Sequence, residues 1–138
     1  MTGPLLPEAE QAELAATAEG LGGVKLMRFT PDFLSYLNAA DLAVTAGGHN
    51  TTCEAVSLGK RTIVVPRSGA PPERVIRAER FAQRGLVSLL HPDGLTPEHL
   101  AAAARAALAG SPPAASLDFD GLRRLGDLLA ACLEISPA

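Results

Sequence analysis

One stretch of the chain gathers residue types that can hold an anion: Ala46-Gly47-Gly48-His49-Asn50-Thr51-Thr52-Cys53-Glu54. It follows a short apolar run at 41–45 and opens a helical pattern over 50–58 that Gly59 ends. The two glycines allow a sharp turn and a close ligand approach, because neither carries a Cβ. At a helix start the N–H groups of Asn50, Thr51 and Thr52 have no intrahelical partner and face outward with the positive end of the dipole. That end suits a diphosphate, and the Thr51 and Thr52 hydroxyls can add bonds to its oxygens. Glu54 lies one turn further in, where a carboxylate can accept from both hydroxyls of a ribose. A Gly-Gly turn before a helix also occurs in proteins that bind nothing, so the pattern alone leaves both readings open.

Other chemistries find less support. His49 and Glu54 lack the spacing of a zinc-binding helix, so no metal ligands are assigned. No nucleophile elbow and no phosphate loop ending in Lys-Ser/Thr is present, and no catalytic residue is assigned. Asn50-Thr51-Thr52 matches a glycosylation sequon, but no secretory signal gives it context. Cys53 and Cys132 follow no metal or redox spacing and read as thiols in a reducing compartment.

The elements that would position this stretch alternate between strand and helix. Helices are expected at 7–19, 31–38, 50–58, 72–83 and 96–110, with Thr30 placed to cap the second. A last helix is expected from about 118 to 134. Short strands are expected at 24–29, 41–45, 61–66 and 86–90. Thr62-Ile63-Val64-Val65 is the clearest buried strand, too short and too β-branched for a helix. In the last helix Phe119, Leu122, Leu125, Leu129, Cys132 and Leu133 share one face. This alternation predicts an α/β, Rossmann-like three-layer domain with a parallel sheet of about four strands. Residues 1–110 form the domain, 111–117 a linker, and 118–138 a C-terminal helix packing on the same domain.

Composition sets the outer bounds. The 138 residues suffice for one domain and a real core. With no Trp and one Tyr, that core must be aliphatic. A formal net charge of −3 argues against a nucleic-acid surface that works by neutralising phosphates. No apolar run approaches the roughly 20 residues of a membrane span. The expected location is cytoplasmic.

With these residues in order, the chain resembles the C-terminal domain of glycosyltransferase family 28, the family of the peptidoglycan GlcNAc transferase. The resemblance rests on a set of pieces: Arg28-Phe29-Thr30-Pro31, Ala40-Asp41-Leu42, Gly47 through Ala55, Gly59-Lys60, Ile63-Val64-Val65-Pro66, and Glu73 with Arg77-Ala78-Glu79. It runs over roughly residues 3–110. It implies half of a GT-B fold, whose C-terminal domain holds a nucleoside diphosphate sugar, usually a UDP-sugar, without a bound metal or other cofactor. By position, Gly47, Gly48, His49, Asn50, Thr51 and Thr52 would surround the diphosphate and Glu54 would bind the ribose. Arg28, Phe29 and Thr30 would frame the base, and the loop carrying Arg67, Glu73 and Arg74 would face the sugar or a phosphate.

Two departures from the family pattern stand out. Glu73-Arg74 replaces the Glu-Gln or Gln-Gln that usually touches sugar hydroxyls, and Arg offers no acceptor. The family's first strand, helix and strand, and its acceptor-binding N-terminal domain, have no counterpart here, so an edge of the sheet is left open. In inverting members the general base comes from that N-terminal half. The expectation is therefore a donor-binding domain that needs an acceptor-binding domain or subunit to transfer sugar. The alternatives are a non-catalytic nucleotide-sugar-binding protein, or a structural remnant that forms a homo-oligomer through its open edge.

Overall fold

The computed structural model describes residues 1–69, 71–114 and 116–134. They fall into two units, Met1–Tyr36 and Leu37–Ala138. Ala115 of the expected linker and residues 135–138 of the expected C-terminal segment lie outside the described residues.

In the first unit, α1 (Glu8–Glu19) carries Glu8 and Glu10 in its first turn, where carboxylates favour the helix dipole. It buries no residue. The expected strand at 24–29 does not form. Its backbone is engaged by the start of the chain instead: Thr2 N donates to the Met27 carbonyl at 3.0 Å and Gly3 N to that of Arg28 at 3.1 Å. Val24 is 52% exposed, so no sheet face gathers its side chain. The boundary between the units falls within α2 (Phe33–Ala39), which starts later than expected. Thr30 Oγ1 accepts from Asp32 N at 3.2 Å and closes a turn ahead of that helix.

The second unit holds the sheet: β1 (Leu42–Thr45), β2 (Arg61–Val64) and β3 (Ser88–Leu89), all parallel and in that spatial order. Leu42 pairs with Arg61 and Thr45 with Val64, while Ile63 pairs with Ser88. Among the described residues the sheet has three strands, where about four are expected, since residues 24–29 form no strand. Three helices pack against it: α3 (His49–Ser57) on β1 and β2, α4 (Pro72–Gln83) on β3, and α5 (Pro97–Ala109) on β1 and β2. Adjacent residues Ile63 and Val64 are both fully buried, so both faces of β2 are covered, as a parallel sheet requires.

The core is small and aliphatic. Val56, Val64, Ala78, Leu86 and Val87 form its centre, with Phe81, Ala82, Leu89 and Leu117 packed around it. Polar fastenings hold the opposite end: Arg61 donates twice to the Gly110 carbonyl, at 2.8 and 3.3 Å, and Lys60 Nζ donates to the Asn38 carbonyl. Thr96 caps α5 by accepting from His99 N at 3.3 Å. Beyond Leu117, α6 (Gly121–Glu134) forms where the sequence predicts a helix, yet Leu122, Leu125, Leu128, Leu129 and Leu133 are all exposed. Val44 of the edge strand β1 is half exposed as well.

Candidate functional site

The turn between β1 and α3 is built from inside the sheet. Gly47 is buried with φ +77°, a conformation that side-chain-bearing residues rarely adopt. A Cβ there would also lie 3.0 Å from Val64 Cγ1, so the position excludes other residues twice over. Thr45 anchors the approach: its carbonyl accepts from Val65 N at 2.8 Å and its Oγ1 from Gly47 N at 3.4 Å. Gly48 then takes the position before α3 with φ −57° and ψ 138°. A Cβ on Gly48 would meet nothing within 4 Å, so its bare backbone keeps the helix start accessible.

Among the described residues no side chain caps α3. Its first backbone donation along the helix runs from Thr52 N to the Gly48 carbonyl, at 3.0 Å. The N–H groups of Gly48, His49, Asn50 and Thr51 precede it and have no helical acceptor. These four residues line an open concavity of about 320 Å³. The sequence thereby delivers what its pattern promises locally: a helix start with unspent donors behind two glycines.

The predicted diphosphate residues divide by depth. His49 and Asn50 are exposed, Thr51 is half-buried, and Thr52 is buried at 2% exposure. Thr52 Oγ1 donates to the Gly48 carbonyl at 2.8 Å, so its hydroxyl fastens the turn. Glu54 sits half-buried one turn along α3, and its carboxylate has no protein partner among the described residues. His49 Nδ1 and Cys53 Sγ approach to 3.8 Å on the outer face of the same turn. Burial pushes the Cys53 thiol above its ordinary value of 9.0, Arg77 pulls it down, and Glu54 pushes it up.

Arg67 is exposed on the loop that leaves β2, while Glu73 and Arg74 stand in the first turn of α4. Because β1 and β2 are parallel, their outgoing loops open at the same end of the sheet, which brings the glycine turn before α3 and Arg67 to one rim. Glu73 also lines a wider surface hollow of about 690 Å³ with Arg77, Arg80, Phe81 and Arg84. Arg28, Phe29 and Thr30 belong to the first unit. There Arg28 donates to the Pro4 carbonyl at 3.1 Å, and Phe29 is 69% exposed.

Sequence reasoning missed one residue here. Arg77 Nη2 donates to the Gly47 carbonyl at 3.1 Å, tying α4 to the turn before α3. Thirty positions separate the two residues and no local motif joins them. The signals were its place in the Arg77-Ala78-Glu79 piece of the resemblance and its position beside Ala78, which is buried.

Comparison with known proteins gives a consistent picture. The profile of the glycosyltransferase family 28 C-terminal domain matches residues 2–116. An uncharacterized glycosyltransferase of Methanopyrus kandleri is 30% identical over 117 residues, covering 84% of this chain and 33% of the relative. The UDP-N-acetylglucosamine–N-acetylmuramyl-(pentapeptide) pyrophosphoryl-undecaprenol N-acetylglucosamine transferase of Methylorubrum populi is 33% identical over 104 residues, covering 71% of this chain and 28% of that enzyme. Among solved structures, the glycotransferase of kitacinnamycin superposes with a TM-score of 0.54 at 26% identity, over 64% of this chain and 22% of that one. The chain thus spans about a third or less of the length of the relatives it matches.

Proposed function

Because the chain belongs to the family of glycosyltransferase family 28 C-terminal domains, we propose that it is the donor-binding half of a GT-B glycosyltransferase and holds a nucleoside diphosphate sugar at the start of α3. The observation that carries this reading is the uncapped α3 start behind Gly47 and Gly48, inside the stretch that matches the family. Four unspent N–H groups and the positive end of a helix dipole attract a diphosphate. The same fixed dipoles stabilise the charge that develops on a departing nucleoside diphosphate, without reorganising at the moment of reaction.

In this reading Gly47 and Gly48 shape the turn, and His49, Asn50 and Thr51 meet the diphosphate. Thr52 contributes from beneath by fastening Gly48. The unpartnered Glu54 carboxylate accepts from the ribose hydroxyls. Arg67, Glu73 and Arg74 face the sugar or its phosphate. Uracil as the base is favoured by the name of the Methylorubrum relative, whose donor is UDP-N-acetylglucosamine. Transfer requires an acceptor-binding domain or subunit, and the proposed location is the cytoplasm. Among the described residues no helix is long and apolar enough to cross a membrane.

Calorimetric titration with UDP, UDP-GlcNAc, GDP and dTDP tests the reading. Saturable binding that prefers the uridine ligands is expected, and the absence of heat with every nucleotide would overturn it. The half-exposed Val44 on edge strand β1 favours a second reading, self-association through the sheet edge. That reading predicts a dimer in sedimentation with no nucleotide affinity.

A further inference from the structure

The bond from Arg77 to Gly47 controls more than the position of one carbonyl. A trans peptide is planar, with its C=O and N–H on opposite sides. Anchoring the Gly47 carbonyl therefore also sets the direction of the Gly48 N–H, the first of the unspent donors at the start of α3. Gly47 needs such an anchor. Its φ of +77° lies in a region that a Gly-Gly pair enters and leaves freely. The anchor is also a charge. Arg77 is half-buried, where its field is screened less than at an open surface. One N–H of the guanidinium is spent on Gly47, and the planar fork carries others.

Resting on the donor-binding reading above, we propose that Arg77 is a positioning residue which holds the Gly47–Gly48 peptide toward the ligand and makes the site select by phosphate charge. The ligand class it favours is a nucleoside diphosphate over the neutral nucleoside. The field of the guanidinium extends to the second turn of α3, since it favours the thiolate of Cys53 against the opposing effects of burial and Glu54. A staple with a purely structural role would affect charged and neutral ligands alike.

The test compares the protein with its Arg77→Met and Arg77→Lys variants. UDP is titrated by calorimetry, and uridine is followed by saturation-transfer NMR, which reads millimolar binding. Arg77→Met is expected to weaken UDP by about tenfold or more, the size of one lost charge-assisted bond. Uridine binding stays within about twofold, and Arg77→Lys recovers part of the UDP loss. Unchanged UDP affinity in Arg77→Met, or an equal loss for uridine, would overturn the proposal. Failure of the unmodified protein to bind UDP would instead overturn the donor-binding reading.

A second measurement needs no ligand. In a Cys132→Ser background, the pH midpoint for alkylation of Cys53 is raised chiefly by burial, lowered by Arg77 on α4 and raised by Glu54 on its own helix, with the His49 ring 3.8 Å away. Arg77→Met should raise that midpoint, and Arg77→Lys should hold it near the original. A midpoint indifferent to Arg77→Met would remove the guanidinium from the start of α3, and the proposal with it.

Discussion

Thr52 Oγ1 donates to the Gly48 carbonyl at 2.8 Å, and the Thr52 backbone N–H donates to that same oxygen at 3.0 Å. One buried residue thus fastens the start of α3 twice. Thr52→Val keeps the shape and the backbone bond and removes only the hydroxyl. It should lower unfolding free energy by about 0.5–1.5 kcal/mol in urea denaturation, the usual net worth of one intramolecular bond. Stability equal to the original would show that the hydroxyl contributes nothing to the turn.

Gly47 and Gly48 should respond oppositely to alanine. Gly47→Ala forces a left-handed backbone and a contact with Val64, costing about 1–3 kcal/mol of stability. Gly48→Ala meets open space at an ordinary φ, so its melting temperature should hardly move. Its Cβ stands at the proposed phosphate approach, however, and UDP affinity should fall by about tenfold or more. A Gly48→Ala protein that binds UDP unchanged would place the ligand elsewhere.

Glu54→Ala removes a carboxylate without a partner among the described residues, so stability should hold while UDP binding weakens by about 1.5–3 kcal/mol. The ribose assignment is read with 2′-deoxy-UDP. The unmodified protein should prefer UDP over the deoxy ligand, and the variant should have lost that preference. A preference that survives Glu54→Ala assigns the diol to another residue.

Cys53 carries a pH signature. Its folded thiol titrates above 9.0, chiefly because burial disfavours the thiolate. The folded state therefore holds the proton more tightly than the unfolded chain. Stability from this group is complete below 9.0 and is lost as pH rises through the folded value. Cys53→Ala should flatten that alkaline decline relative to the original protein in paired melts from pH 7 to 10.5. Parallel curves would mean the thiol is not perturbed.

The leucines of α6 invite a surface test. Leu122→Lys combined with Leu129→Lys should leave the unfolding midpoint unchanged, since both side chains are already exposed. A drop of several degrees would show that this helix packs on the domain, as its amphipathic pattern predicts.

Local signals made much of this legible. Alternating β-branched runs and Ala/Leu stretches located β1, β2 and most helices, with α4 beginning at Pro72 and ending at Gln83 as the sequence predicts. Thr96 caps α5 through a bond that its position ahead of Pro97 suggests. Residues 24–29 read as a strand because Val24, Leu26, Met27 and Phe29 make a short, mostly apolar run. A strand needs a partner ladder, and here Thr2 and Gly3 supply only two bonds. At the site, the glycine turn and the helix start were readable because neighbouring residues build them. Arg77 was not, because a contact across 30 residues exists only after folding has brought α4 to the turn that follows β1. The burial of Thr52 was hidden for the same reason: its neighbour Thr51 is the same type, and only packing separates their roles.

The three strands run in one direction, so their outgoing loops share one rim and their incoming connections share the other. The incoming end carries the Arg61–Gly110 and Lys60–Asn38 fastenings, while the outgoing end carries the glycine turn and the loop with Arg67. This separation assigns heritable change to different places. Exposed positions at the outgoing end such as Arg67 and Ser68 can vary or be exchanged over generations while the strands beneath them stay as they are. A lineage built on this sheet can therefore acquire new ligand preferences by rewriting one rim, with the opposite rim preserving the inheritance of the fold.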